Sequence, residues 1–344
     1  MNDMVATLPP GTAPGAVGQA LAEEQLGNWD AAARLYARAF RSALLSGDVE
    51  KAADALRGQG RVLIREERFD EAEELVELSR EIAERGGLAQ SAARAINVLC
   101  IILYEQQDFA AARAYYQRAL ELAIEVGDDE LVGLASQNAG VIANITGDVR
   151  EARVALLESI GSFVRSGNAD NALQGYNNLG VASAVSGEWL EAEVYFSRGI
   201  EIAERLRNVP MLARLYGNRA EPLIFIGEFH QARESLRLAE RAAEQVGDRE
   251  ALATASRWRA TLARMEGTYP EAELHLHRAL GLVPGVALER GEVFHELSRL
   301  REAQGDRAEA IVAERQAREI YQSIGAARRL RESELRMTEL GRAA

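Results

Sequence analysis

Apolar residues recur at helical spacing along almost the whole chain, as in Leu56, Leu63 and Ile64, or Tyr116, Leu120 and Ile124. The pattern predicts helices and no strands, and it repeats. Alanine returns every forty residues at Ala32, Ala72, Ala112, Ala152, Ala192, Ala232 and Ala272, and then after thirty-eight at Ala310. Twelve residues before each stands a small residue: Ala20, Gly60, Cys100, Gly140, Gly180, Ala220, Ala260 and Ser298. Three residues before each the position is usually aromatic (Trp29, Phe69, Phe109, Trp189, Phe229, Tyr269), with Val149 and Arg307 as exceptions. Three registers in phase over eight repeats define a solenoid, because a fixed period of 20–50 residues means stacked supersecondary units.

The spacing has a direct physical reading. Small residues belong where two helices cross closely. Between the two small positions, Gly27, Gly147, Gly187, Gly227, Gly267 and Gly305 mark a helix stop, with Glu67 and Gln107 in the same place in repeats two and three. A second set, Gly47, Gly87, Gly127, Gly167, Gly247 and Gly325, ends the other helix. Asp48, Asp128, Asn168 and Asp248 follow as N-caps of the next repeat. Each repeat is therefore expected to be two antiparallel helices of four to five turns, stacked on its neighbours because one hairpin cannot bury its own apolar face.

These residues carry a family resemblance. Asn178-Leu179-Gly180, then Gly187-Glu188-Trp189-Leu190-Glu191-Ala192, then Phe196, resembles the tetratricopeptide signature, as does Gly147-Asp148-Val149-Arg150-Glu151-Ala152. The chain departs from the commonest form in its forty-residue period and in lacking a closing proline, Pro210 and Pro284 alone lying near repeat boundaries. Longer repeats of this kind are similar to those of kinesin light chain, of adaptors with Leu-Gly-Asn repeats, and of bacterial Rap-type peptide-sensing regulators. The resemblance implies an all-α, right-handed α-solenoid of about eight helix-turn-helix repeats over residues 15–325. Residues 1–14, with Pro9, Pro10 and Pro14, read as a flexible leader. Residues 326–344, with Leu330, Leu335, Met337 and Leu340, read as a capping helix and tail, or alternatively as a dimerisation helix.

Composition narrows the function. The apolar share of 47% suits a folded chain of 344 residues, and a net charge of −13 argues against non-specific nucleic-acid or anionic-membrane partners. No stretch is apolar enough to span a bilayer. Lys51 is the single lysine, and the remaining basic residues are arginines, a bias expected of a GC-rich bacterial genome. One cysteine, Cys100, excludes an internal disulfide and suits a reducing, cytoplasmic setting; its register makes it a buried structural thiol. His275 and His277 are two apart on a helix and cannot share a metal, and His295-Glu296 lacks a second histidine. No phosphate loop follows a strand. Neither an enzyme nor a cofactor is expected.

The resemblance implies that the first helix of each repeat lines a concave groove for a peptide. Helical phase places the groove face at six, three and two residues before the small residue and one, four and five after it. In repeats two and three this face carries Arg57, Arg61, Arg65, Arg94, Asn97 and Tyr104; in repeats four and five Gln137, Asn138, Asn144, Gln174, Asn177 and Asn178; in six and seven Arg214, Asn218, Arg257, Trp258 and Arg264. Asp54, Glu105 and Glu221 are acidic exceptions, and repeat eight turns acidic with Glu292, Glu296 and Glu302. Asn138, Asn178 and Asn218 share one register, and carboxamides there can pair with the backbone of an extended chain irrespective of its side chains. They can equally hold neighbouring repeats together. Arginines in a groove favour an acidic ligand. The reading is a protein- or peptide-binding adaptor or scaffold. The alternatives are a regulatory sensor acting on a separately encoded effector, or a module that oligomerises through its ends. An RNA-binding repeat would show a base-reading pattern and basic charge, and neither is present.

Overall fold

The computed structural model describes residues 15–342 except Gln107, Pro284 and Val286. The leader, the turn position of Gln107, the boundary at Pro284 and the last two residues of the tail lie outside the described residues. Within them are seventeen helices and no strand. The first eight are α1 (Ala16–Gln25), α2 (Trp29–Ser46), α3 (Val49–Arg65), α4 (Phe69–Arg85), α5 (Ala89–Glu105), α6 (Phe109–Val126), α7 (Asp129–Thr146) and α8 (Val149–Ser166). Then come α9 (Ala169–Val185), α10 (Trp189–Leu206), α11 (Val209–Phe225), α12 (Phe229–Val246), α13 (Arg249–Met265), α14 (Tyr269–Leu282), α15 (Leu288–Ala303), α16 (Arg307–Ser323) and α17 (Ala327–Arg342). Helices α1 to α16 form the eight pairs required by the period, making the chain an all-α solenoid of tetratricopeptide type.

Side-chain caps start many of these helices. Asp48, Asp128 and Asp248 each accept the backbone N–H three residues on, at 3.0–3.1 Å, and so does Asn168 at 3.0 Å. Asp108, Asp148, Asn208 and Asp306 do the same. Each such bond satisfies one orphan donor and is worth about 1 kcal/mol. Glycines close the helices in the left-handed region, up to φ 90° at Gly147. Glu67, at φ 59°, and Arg207, at φ 55°, are forced into the same conformation, which L residues occupy at a cost. Where the period shortens to thirty-eight, α14 stops at Leu282 and the chain extends through Val283.

The small-residue register marks the closest crossing of each helix pair. A methyl group on Gly140 would stand 2.6 Å from Leu156 Cγ and 3.2 Å from the Ala152 carbonyl oxygen. Ala32, Ala72, Ala112, Ala152, Ala192, Ala232, Ala272 and Ala310 are all fully buried. Cys100 Sγ lies 3.8 Å from the Ala112 carbonyl, and burial pushes its thiol pKa up to about 12. That is a structural thiol, not a nucleophile. The aromatic register is half-buried and covers the turn side of each crossing.

The chain forms two compact units, divided within α9 between Gly175 and Tyr176. In the N-terminal unit each helix packs on the next, and α1, α3, α5 and α7 also lie side by side. In the C-terminal unit α11, α13 and α15 do likewise, and α17 packs on α16. The odd-numbered helices thus form one face of each unit. In α17 only Ser333 and Leu340 are buried, while Leu335 is exposed and Leu330 and Met337 are half-buried.

Gly140→Val is expected to overpack the α7–α8 crossing and lower stability by about 1–3 kcal/mol, read as a lower urea midpoint. Glu67→Gly relieves a left-handed L residue and is expected to raise stability by up to about 1 kcal/mol.

Candidate functional site

The residues expected to line the groove all lie on odd-numbered helices, and the packing of those helices sets what each can do. Charge comes first. Arg61, on α3, donates through Nε and Nη2 to the two oxygens of Glu24 on α1, both at 2.8 Å, and through Nη2 to Tyr36 Oη at 2.9 Å. Tyr36 in turn donates to Glu24 at 2.6 Å. Burial alone would raise the Glu24 carboxyl, but the charge and hydrogen bonds of Arg61 outweigh it and hold its pKa below the usual range. Arg65 sits over the Trp29 ring at 5.1 Å.

The C-terminal unit repeats this neutralisation. Arg257, on α13, donates to Glu289 of α15 at 2.7 Å and stacks on the Trp258 ring at 4.3 Å. Arg264 donates to Glu296 at 2.6 Å. Arg329 and Arg336 arrive from α17: Arg329 meets Glu292 at 2.6 Å, and Arg336 lies 2.9 Å from Glu302 and 3.3 Å from Glu314. Glu314 also faces His295 Nδ1 at 3.0 Å. The acidic turn of repeat eight is therefore paired internally, carboxylate by carboxylate, with arginines of neighbouring helices. Burial would lift Glu292 and Glu314, but Arg329 and Arg257 for the first, and His295 and Arg336 for the second, bring both below the usual range. Glu221 and Glu289 go the other way: burial raises them more than Arg257 lowers them.

Around α5 the balance is different. Arg57 is buried, and its Nη1 stands 2.8 Å from Asp54 Oδ1, one turn back on the same helix, without hydrogen-bond alignment. Arg94 has its nearest carboxylate at 4.0 Å, that of Asp128. Asp128 already caps α7 and accepts from Gln90 at 2.6 Å. Arg94 Nε is buried with no partner. Burial, together with Arg61 and Arg94, overcomes the pull of Asp54 and lowers the pKa of Arg57 from its ordinary value.

The carboxamides pair with one another. Asn138 donates to Asn97 Oδ1 at 2.7 Å, and Asn218 to Asn177 Oδ1 at 3.0 Å. Each bond joins neighbouring odd-numbered helices, so these amides hold repeats together. Each donating carboxamide keeps one N–H and its oxygen for other partners. Gln137, buried, donates to Gln174 at 3.4 Å and leaves its own oxygen unpartnered. Asn144 Oδ1 is likewise buried without a partner near the end of α7. Asn178 is half-buried. Tyr104 meets Phe109 edge-on at 6.0 Å. Arg214 lies 3.9 Å from Asp248. Two signals went unread in the sequence: Glu24 sits four after Ala20, squarely in the face register, and Glu289 one turn before it. Among the described residues no group of three or more His, Cys, Asp or Glu could hold a metal, and no helix is long and apolar enough to cross a membrane.

Glu24→Gln leaves Arg61 buried without its counter-charge and is expected to cost about 3–5 kcal/mol at neutral pH. Because the folded pKa of Glu24 is depressed, its contribution is complete above about pH 4.5 and lost as pH falls below that value. The gap between wild type and variant should therefore narrow on acidification, measured by urea unfolding across pH 3–7.

The tetratricopeptide repeat family model matches residues 12–85 and 91–162. No curated protein sequence matches the chain. Among solved structures, a Rap protein complexed with competence and sporulation factor is similar at 12% identity and a TM-score of 0.61, covering 95% of this chain and 97% of that one. The apo form of the quorum sensor NprR from B. thuringiensis matches at 13% identity and 0.60, with 95% and 97% coverage. A tetratricopeptide repeat protein from Parabacteroides merdae matches at 13% and 0.57, with 82% and 98% coverage. At such identities the likeness is one of fold. The repeat registers, the sixteen paired helices and the two matched stretches agree: residues 12–85 and 91–162 match the tetratricopeptide repeat model, and the described helices after them have the same paired-helix fold.

Proposed function

We propose that the odd-helix face binds an extended segment of a partner polypeptide, and that the protein acts as a scaffold or adaptor with no catalytic role of its own. The observation that carries the reading is that each unit, taken by itself, carries carboxamides on this face: Asn138 with Gln137 and Gln174 in the N-terminal unit, and Asn177, Asn178 and Asn218 in the C-terminal unit. These side chains sit on a helical face, yet they are neither apolar nor charged, and they retain hydrogen-bonding capacity after pairing with one another. A surface of that kind suits peptide groups, which present alternating donors and acceptors whatever their side chains. The arginines of the N-terminal unit favour an acidic segment, and the buried thiol of Cys100 suits a reducing, cytoplasmic setting.

A second reading, a regulatory sensor, is supported by the likeness to the Rap protein complexed with competence and sporulation factor and to the quorum sensor NprR. In this reading a short peptide on the same face alters the packing of the odd-numbered helices, and an effector reads the change on the outer helices.

Asn138→Ala with Gln174→Ala is expected to weaken partner retention at least tenfold in affinity capture, while Arg118→Ala on the exposed side of α6 leaves it unchanged. Loss of Asn138 also removes its bond to Asn97 and is expected to cost about 1 kcal/mol of stability. Equal retention by all variants would place binding elsewhere. Hydrogen exchange of the bound protein separates the two readings: protection confined to odd-numbered helices fits a scaffold, whereas changed exchange in α4, α6 or α8 fits a sensor.

A further inference from the structure

Helices α2 and α4 of the N-terminal unit border a cavity of about 330 Å³. Ala33 of α2 and Leu75 of α4 wall it, and Gln59, Val62 and Leu63 of α3 form its floor. By helical phase these floor positions lie on the opposite side of α3 from Arg57 and Arg61. The rim is acidic, with Glu66, Glu71 and Glu74. Among the described residues that line the cavity, Arg68 is the one cation, and it is shared between Glu66 at 2.7 Å and Glu71 at 2.6 Å. An adjoining cavity on the same Arg68 and Glu71 adds Glu67 and Asp70. Helix α4 as a whole carries seven carboxylates and two arginines. Among the described residues no cation pairs with Glu74. Gln59 Nε2 is buried without an acceptor.

The C-terminal unit shows what fills the same place from within. Four repeats on, Arg219 stands in the register of Gln59 and Glu193 in that of Ala33. Arg219 donates through Nε and Nη2 to Glu193 Oε1, at 3.0 and 2.6 Å. In repeat seven Arg259 takes this position and donates to Glu240 at 2.9 and 2.7 Å. Glu234, the counterpart of Glu74, is held by Arg237 at 2.8 Å. The residue in the register of Arg237 is Glu77, which adds a carboxylate and is itself taken by Arg80 and Tyr115, both at 2.7 Å. In repeats three to five the position of Gln59 belongs to Leu99, Ala139 and Leu179, all buried. The α2–α4 groove thus keeps the carboxylates of its rim and lacks the arginines that close its counterpart.

We propose that the α2–α4 groove of the N-terminal unit docks an arginine-bearing segment of a partner polypeptide, whose guanidinium takes the place that Arg219 fills in repeat six. Charge selects this occupant, because the rim holds more carboxylate than Arg68 neutralises, and guanidinium–carboxylate bonds are the strong ones. The apolar floor and wall suit the rest of the side chain. An arginine buries its aliphatic stem on Val62, Leu63 and Leu75 while its head reaches Glu74 at the exposed rim. Gln59 is half-buried and its terminal torsion is soft, so its unused donor can turn to a backbone carbonyl of the docked segment. The groove shares no residue with the carboxamide face, and the inference does not rest on the peptide-binding reading of that face.

The test pans the full-length protein against a randomised octapeptide pool and measures the selected peptides by fluorescence anisotropy. Wild type is expected to enrich peptides with arginine at one fixed position. Glu74→Gln, at an exposed side chain, is expected to weaken those peptides about tenfold. Ala33→Glu with Gln59→Arg rebuilds the Arg219–Glu193 pair inside the groove. That double variant is expected to abolish their binding with an unchanged or higher melting temperature. Asn138→Ala with Gln174→Ala, on the odd-helix face, is expected to leave them bound. No enrichment of arginine, or arginine peptides that bind Glu74→Gln as tightly as wild type, overturns the site. Loss of the peptides in the Asn138 and Gln174 variant, with the groove variants unaffected, assigns them to the odd-helix face and overturns it as well. If the double variant unfolds, Glu74→Gln decides alone. The carboxamide reading stands or falls separately, on partner retention by the Asn138 and Gln174 variant.

Discussion

Everything in this chain depends on how closely two helices can cross when a glycine, alanine, serine or cysteine faces an alanine twelve residues later. At Gly140 the Leu156 side chain, backed by the carbonyl of Ala152, leaves no room for a further carbon without movement of the neighbour. Close crossing draws the two helices of a repeat into one tight hairpin and fixes the turn between them, so the left-handed residue at its end becomes obligatory. Glycine meets that demand in most repeats and Glu67 meets it at a cost in repeat two, while Arg207 takes the same conformation at the junction between repeats five and six. Once the hairpin is fixed, its apolar sides have nowhere to go but against the next hairpin.

Stacking brings odd-numbered helices side by side, and with them the polar residues that helical phase places on one face. That is why ion pairs here join residues more than thirty apart in sequence yet one helix apart in space, as Arg61 does with Glu24 and Arg257 with Glu289. Such pairs are half-dry and not solvated, so removing one partner is far costlier than removing both. They also decide which arginines are available. An arginine held by two carboxylate oxygens and a phenol, as Arg61 is, is a structural element of the repeat stack. An arginine with an orphan Nε, as Arg94 is, has a donor that the repeat stack does not use.

The period, the helix boundaries, four of the caps and the structural thiol were legible in the sequence because each is set by local geometry repeated eight times. The face was legible in position but not in state. Helical phase places Arg57, Arg61, Arg257 and Arg264 on it, yet whether a charge is open or cancelled depends on the neighbouring helix. The counter-charges came from α1, α15 and α17, and Glu289 lies a full turn outside the counted positions. The final helix shows the same limit. It packs on α16 with Leu340 buried and Leu335 facing solvent, and the sequence did not show that Arg329 and Arg336 would also pair with carboxylates of repeat eight.

Of the two roles that the sequence left open for the asparagine register, the structure shows the first, that of holding neighbouring repeats together. Asn138 spends one N–H on Asn97 and Asn218 spends one on Asn177, so each fixes the spacing of adjacent helices. The same bond restrains the orientation of the carboxamide. An amide immobilised in this way loses little entropy when a peptide group meets it, which is the condition under which a neutral hydrogen bond contributes net affinity. Under the proposed function, holding the repeats together and presenting a restrained edge to a peptide would be one property of one side chain.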